Sequence, residues 1–389
     1  MTTSPSSDGR CILSDELLEL FRSRAAGYDA ANTFFQDDFD DLVRVGYLKA
    51  LVPEAQGGAG LTLAELAAEQ RRLAAAAPAT ALGINMHLVW TSVARVVQAR
   101  GFDFLDGVLH DASRGEVFAF AISEAGNDLV LFGSRTRAER DADGGYRYTG
   151  TKIFTSLSPV WTRLSVFGVD DSGSDPALVH GFLRRDADGH RSVDDWDTVG
   201  MRATQSRTTI LDGARVRPED VVRRLPVGPS ADPLVFGIFA SFEILLAAVY
   251  TGIGDRALQL AVANATRRTS MKNGGASYAQ DPDIRWRVAH AAIAQDSLGP
   301  QLTSLATDVD SLVDHGAMWF AKLVGLKVRA TETARDVVDA AIRVSGGSSY
   351  SSSSELGRLY RDVLAGMFHP SDDESAHSTV ANAWLGPIA

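Results

Sequence analysis

Between Val235 and Gly254 the chain runs for about 20 residues, long enough to cross a bilayer, with Glu243 as its single charge. A carboxylate in such surroundings loses the hydration that stabilises its anion. Its pKa therefore rises toward the range that a general base needs. A buried carboxylate paired with an arginine for structural reasons is the alternative. Other chemistries find less support. The eight histidines, His87, His110, His180, His190, His290, His315, His369 and His377, show no metal-ligand spacing. A single cysteine, Cys11, excludes an internal disulfide and a cysteine-rich metal centre. Phosphate-loop, HExxH and GxSxG patterns are absent. Gly252-Ile253-Gly254-Asp255-Arg256-Ala257 fits the dinucleotide pattern GxGxxA, but it lies within an apolar helical run and follows no strand. Its glycines are read as helix packing through small residues.

The elements that must position these groups fall into three blocks. Apolar residues at three- and four-residue spacing from Leu13 to His110 predict helices, and Thr62 with Glu65 predicts a capping box. From Glu116 to about Val222, short β-branched and aromatic runs such as Val117–Ile122, Tyr146–Thr149 and Leu164–Val169 alternate with turn clusters. Helical texture returns after Pro233, with strong segments at Val235–Val262, Asp283–Leu298, Ser304–Gly346 and Leu356–Met367. Such segregation predicts an α+β protein. The expected units are an N-terminal helical domain (1–115), a central β-barrel-like domain (116–228) and a C-terminal four-helix bundle (229–389). The 389 residues, 45% hydrophobic and 22% charged, suit a globular chain of two or three units. A net charge of -11 without a basic stripe argues against nucleic acid as a partner. The Ser/Thr-rich Met1–Arg10 lacks the apolar core of a signal peptide, so a cytoplasmic protein is expected. The mid-segment charge of Glu243, with no second apolar stretch, predicts a core helix and no membrane insertion.

Four segments carry a further signal. Gly46–Gly60 (GYLKALVPEAQGGAG) resembles the N-terminal turn of acyl-CoA dehydrogenases. Ala121–Asp128 (AISEAGND) looks like a shortened form of their flavin-contacting T-E-P-x-A-G-S-D strand end. Gly150–Ser156 (GTKIFTS) resembles their G-x-K-x-[FYW]-I-[ST] strand. Ile342–Gly347 (IRVSGG), followed by Arg358–Asp362 (RLYRD), is similar to their C-terminal Q-V-x-G-G and R-x-Y-R-D segments. Order and spacing extend the resemblance over nearly the whole chain, with the same α–β–α layout. It implies FAD between the β domain and the C-terminal bundle, or FMN in a monooxygenase. Ser123 and Ser156 match hydroxyls that contact the flavin ring, a task suited to a group that both donates and accepts. Arg268 matches the arginine that holds the FAD pyrophosphate of a neighbouring subunit through its two-pronged fork. Gly346 and Gly347 match a turn where backbone approaches the cofactor. A homodimer or homotetramer is the implied assembly.

The chain departs from the family at its catalytic glutamate. Ungapped counting from Arg361-Asp362 puts Pro370 there, and proline also lacks the N–H that would polarise a thioester carbonyl. Some members carry the glutamate on an earlier helix, near Glu243. Register from Gly252-Ile253 puts Phe242 at that spot, leaving Glu243 about 100° of helix rotation away. His87 and His369, with Ser156, resemble the polar set of flavin monooxygenases of the same fold, which use reduced flavin and O2. Histidine suits proton transfer there near neutral pH.

The expected function is an FAD-dependent oxidoreductase acting on a CoA- or carrier-protein-linked acyl or related substrate. Hydride passes to the flavin, and the base is relocated to Glu243 or made unnecessary by loss of CO2. The alternatives are a two-component monooxygenase served by a flavin reductase, and a flavin-binding homologue without activity.

Overall fold

The computed structural model describes residues 11–388; Met1–Arg10, where no signal-peptide core was found, lie outside the described residues. The N-terminal helices are α1 (Asp15–Ala31), α2 (Gln36–Arg44), α3 (Leu63–Ala76), α4 (Pro78–Ala99) and α5 (Asp106–Ser113). The expected capping box forms: Thr62 accepts from the Glu65 N–H, and Glu65 accepts from the Thr62 N–H. Pro78 opens α4 at a position where a missing N–H costs nothing.

Eight strands follow: β1 (Phe118–Phe120), β2 (Arg137–Arg140), β3 (Tyr146–Thr155), β4 (Arg163–Asp170), β5 (Ala177–Arg184), β6 (His190–Ser192), β7 (Arg207–Val216) and β8 (Val221–Pro226). Their order, β6-β7-β3-β2-β4-β5-β8, is an open path; β1 adds to β4 in parallel. One edge of β4 takes β1 at its beginning (Phe118 to Arg163) and β2 at its end (Arg137 to Val169). The predicted strand Val117–Ile122 is therefore short, because the chain then crosses toward β3. Ala121 N–H still donates to Ser165 on β4 at 3.0 Å, while the Ser123 carbonyl accepts from Ile153 on β3 at 2.9 Å. Ser123 thus stands where the sheet opens. From the N-terminal layer, Trp90 of α4 packs edge-on to Phe120 and Phe182 at 5.1 and 4.9 Å, seating this end of the sheet on the helices.

The C-terminal helices are α6 (Pro233–Arg267), α7 (Pro282–Asp296), α8 (Leu298–Asp310), α9 (Met318–Ser345), α10 (Glu355–Val363) and α11 (Asp373–Leu385). A two-stranded hairpin, β9 (Thr269–Ser270) with β10 (Ala276–Ser277), separates α6 from α7. Asp232 caps α6 by accepting from the Leu234 N–H. Among the described residues, α6 is the one helix long and apolar enough to cross a membrane, and 89% of its apolar window is buried inside the protein. It is a core helix.

Two segments differ from the sequence expectation. The predicted run Ser304–Gly346 is broken after Asp310. Leu312 and Gly316 adopt left-handed backbone (φ 57 and 52), and Asp314 accepts from the Gly316 N–H at 2.7 Å, an arrangement that ends a helix. Beyond Met367, where the last predicted helical segment ends, the chain forms a further helix, α11. Asp372 accepts from the Ser375 N–H, and Asp373 and Glu374 face the positive end of the helix dipole.

The GxGxxA glycines do pack helices. A Cβ on Gly252 would lie 2.2 Å from the Arg71 carbonyl oxygen of α3, and one on Gly254 would lie 2.2 Å from Gln295 Oε1 of α7. Gly252→Ala is accordingly expected to destabilise the fold by about 2 kcal/mol, the cost of overpacking against backbone that must move. A thermal melt indistinguishable from the wild type would contradict this packing.

Candidate active site

A cavity of about 630 Å³ lies where the open end of the sheet meets the middle of α6 and the connection between α10 and α11. Its size is that of a small-molecule or cofactor site. Leu82 and Met86 of α4, Phe120, Ile122, Leu131 and Phe132 around the sheet, and Ile238, Phe239 and Phe242 of α6 give it apolar walls.

On the sheet side the polar groups are hydroxyls. Ser123 and Ser156 both line the cavity, with Thr204 and Ser206 beside them. Ser156 Oγ is 2.7 Å from Ser206 Oγ, which donates to Thr204 Oγ1 at 2.8 Å. This hydroxyl chain can offer either a donor or an acceptor. Backbone strain marks the spot: Phe154 and Leu157 on either side of Ser156 have φ of 57 and 63, a region that non-glycine residues rarely occupy.

The two strand ends are tied together below the cavity. Lys152 Nζ donates to Glu124 Oε1 at 2.7 Å and to the Phe167 carbonyl at 2.9 Å, and both charged side chains are almost wholly buried. Glu124 also accepts from the Arg135 and Thr136 N–H groups and from Ser134 and Thr136 hydroxyls. Burial alone would raise its pKa, but the Lys152 charge and these donors outweigh burial and hold it at about 2. Ser123 precedes Glu124, and Ser156 follows Lys152 by four residues, so this ion pair positions both hydroxyls.

On the helical side Glu243 reaches the cavity, only 1% exposed. Ser371 donates to its Oε1 at 2.5 Å, while Oε2 is buried without a partner among the described residues. Burial pushes its pKa up to about 7, opposed by the Ser371 hydrogen bond and the Lys327 charge. No arginine pairs with it among the described residues, so the structural alternative drawn from sequence does not apply. His369 also lines the cavity, with Nε2 2.9 Å from the Tyr250 hydroxyl. Burial, aided by the Lys327 charge, pulls His369 down to about 3, so the imidazole is neutral at physiological pH. Tyr250 stays a phenol because burial raises it. The pair can exchange donor and acceptor roles with the histidine tautomer. Pro370 faces the same space, at the place that counting gave for the missing glutamate.

The expected residues thus separate into three places. Ser123, Ser156, Glu243 and His369 converge on the cavity. His87 does not join the set expected with Ser156 and His369. It is fully buried in α4, its Nε2 lies 2.7 Å from the Leu48 carbonyl, and its Nδ1 accepts from the Phe118 N–H at 3.1 Å. Both ring nitrogens are consumed in joining α4 to backbone, one at the Leu48 turn and the other at β1, and burial lowers its pKa to about 4. Arg268, Gly346 and Gly347 meet elsewhere, where α6 and α9 end. Arg268 donates to the Ser345 carbonyl, stacks 5.0 Å from the Tyr278 ring and lies beside Gly346, whose φ is 70. None of the three lines the cavity.

Phe242, which the register set at the expected spot, and Glu243 both line the cavity, which wraps around that turn of α6. Lys327, Tyr250 and Ser206 were missed. Lys327 had a readable signal, since it falls four residues after Leu323 and three before Ala330, in the register of the buried stripe of α9.

A family profile described as Acyl-CoA dehydrogenase, C-terminal domain, matches residues 244–373. L-evernosamine nitrososynthase from a Micromonospora strain is 30% identical over 362 residues, covering 89% of this chain and 82% of that protein. Dibenzothiophene monooxygenase from Rhodococcus erythropolis is 26% identical over 373 residues, covering 91% and 88%. The structure of KijD3 in complex with FMN and dTDP-3-amino-2,3,6-trideoxy-4-keto-3-methyl-D-glucose superposes with a TM-score of 0.87 at 26% identity, covering 99% and 96%.

Two expectations follow from the buried charges. Lys152→Met strands the Glu124 carboxylate and should cost about 3–5 kcal/mol in a denaturant titration, whereas adding Glu124→Gln should recover part of that loss. Equal losses in the single and double variants would contradict the pairing. Glu243 is protonated in both states below its unfolded pKa of 4.5, so stability is full there and is lost as pH rises toward its folded pKa of about 7. Glu243→Gln removes that loss. It should be more stable than the wild type at pH 8 by on the order of 1–3 kcal/mol, with the gap closing below pH 4.5. A gap independent of pH would contradict a carboxyl raised by burial.

Proposed function

Because the chain belongs to the acyl-CoA dehydrogenase superfamily of flavoproteins, we propose that it is a flavin-dependent monooxygenase that oxygenates a small molecule bearing an amino group. One observation carries this choice over thioester dehydrogenation: Pro370, which ungapped counting sets at the position of the dehydrogenases' glutamate, lines the cavity. It has neither a carboxylate for the α-proton nor an N–H for the thioester carbonyl. The similarity to nitrososynthases and to dibenzothiophene monooxygenase supports the same reading.

The cavity's residues fit a flavin. Its volume of about 630 Å³ accommodates a ring system and a small substrate, and its polar groups on the sheet side are donor–acceptor hydroxyls. Ser123 and Ser156 would hold the flavin through their hydroxyls, between the apolar walls from α4 and α6. In an FAD-binding homo-oligomer, Arg268 would hold a neighbouring subunit's pyrophosphate, with Gly346 and Gly347 allowing close approach. When bound in its reduced form, the flavin supplies two electrons for reaction with O2. A separate reductase delivers those electrons.

The chain's own groups handle the protons. Glu243 Oε2 accepts a proton from the substrate ammonium, which leaves the amine lone pair free to react. A carboxyl with a pKa near 7 is matched to that task at neutral pH. Ser371 steadies the other oxygen. Neutral His369, hydrogen-bonded to Tyr250, takes the N–H proton that the nitrogen releases once it is oxygenated. Phe120, Phe239 and Phe242 exclude water. A specific observation also favours a second reading: Glu243 in this cavity can serve as the relocated base of a thioester dehydrogenase.

The discriminating experiment supplies the protein with reduced flavin from a reductase, O2 and a panel of amino sugars and aryl amines. Product heavier by oxygen is expected, with no anaerobic bleaching of bound flavin by acyl thioesters. Bleaching by a thioester without O2-dependent product would overturn the monooxygenase. Glu243→Gln should lower kcat/KM about 100-fold or more while leaving flavin affinity unchanged. In the wild type, kcat/KM should fall as pH drops below the Glu243 pKa.

A further inference from the structure

The connection between α10 and α11 closes on a single buried ammonium. Lys327 Nζ, reaching across from α9, donates to the carbonyls of Gly366 at 3.0 Å, His369 at 3.3 Å and Ser371 at 3.0 Å. An ammonium has three N–H donors, and here all three go to one short stretch of backbone. Lys327 is 1% exposed, and it is used differently from Lys152, which pairs directly with a carboxylate. The gathered segment carries two side chains that matter to the cavity. Ser371, held in left-handed backbone (φ 58), donates to Glu243 Oε1, and His369 meets Tyr250.

We propose that Lys327 is a positioning residue for the acid–base groups of the cavity: its ammonium folds residues 366–371 so that Ser371 reaches Glu243 and His369 reaches Tyr250. The assignment rests on the reading of this cavity as the active site. Its second effect is electrostatic. The ammonium favours the ionised form of Glu243 without a direct contact, which opposes the burial that raises this carboxyl. The groups around the pair are few. Glu243 faces Lys327 and Ser371, while Lys327 also senses Asp372 and Asp373 at the start of α11 and Glu332 on its own helix. His369 is neutral, and Tyr250 is held as a phenol. Among the described residues, the positive charge that acts on Glu243 is the Lys327 ammonium.

Infrared spectroscopy of the full-length protein across pH tests this, with the Glu243 carboxyl band identified by its loss in Glu243→Gln. Lys327→Met removes both donors and charge. Lys327→Gln removes the charge and keeps two of the three N–H donors for the carbonyls. Both should move the midpoint of the band upward by about one pH unit or more, and Lys327→Arg should restore it. Unchanged midpoints in the neutral variants would overturn the proposal. So would neutral variants that fail to fold while Lys327→Arg folds, because the ammonium would then be holding the bundle and not the segment. The reading of Glu243 as the base is decided separately: full turnover in Glu243→Gln would end it, whatever the band shows.

Discussion

A carboxyl group held out of water, with one oxygen bonded and the other free, is the constraint on which the cavity depends. Moving a carboxylate into an apolar wall is expensive, and the protein does not offset that cost with a direct ion pair. Glu243 has one hydroxyl donor, Ser371, and the field of an ammonium engaged with backbone carbonyls. A close arginine or lysine would have lowered the pKa and silenced the group as a base. Burial with a single hydrogen bond leaves it near neutrality, where a proton can be taken and returned.

The opposite wall uses the other solution. Glu124 and Lys152 form a buried pair whose remaining lone pairs are taken up by neighbouring N–H and hydroxyl groups. Such a saturated pair is rigid, and it is placed where the chain crosses from β4 to β3 with no regular ladder to hold it. Ser123 and Ser156 inherit their positions from it. One wall is fixed by a satisfied pair of charges, and the other carries a lone buried carboxyl with one oxygen unpartnered among the described residues. The cavity between them belongs to neither the sheet nor the bundle alone.

The sequence made the architecture legible because local rules and global layout agree. The Thr62–Glu65 box, the apolar periodicity of α6 and the turn-punctuated strands each reappear, and the resemblance at four separated motifs led to the family. The glycines of the false dinucleotide pattern were readable for the same reason, since a helix that buries all its faces needs small residues where others cross it. What sequence missed was set by contacts across the chain. Lys327 and Gly366 lie 39 positions apart, and no spacing rule joins them. Helical rotation argued against Glu243, yet a cavity that wraps around α6 receives adjacent residues as readily as one. His87 matched a motif by type, but α4 had already committed both its nitrogens to the backbone of Leu48 and Phe118.

The central claim, that Glu243 is the proton acceptor facing a flavin held by Ser123 and Ser156, is tested most directly by a crystal structure with flavin and an unreactive amine analogue bound. The account predicts the flavin ring against the two serines and the analogue's nitrogen within about 3 Å of Glu243 Oε2. A ring seated away from those serines, or Glu243 still covered by protein with the analogue in place, would contradict it.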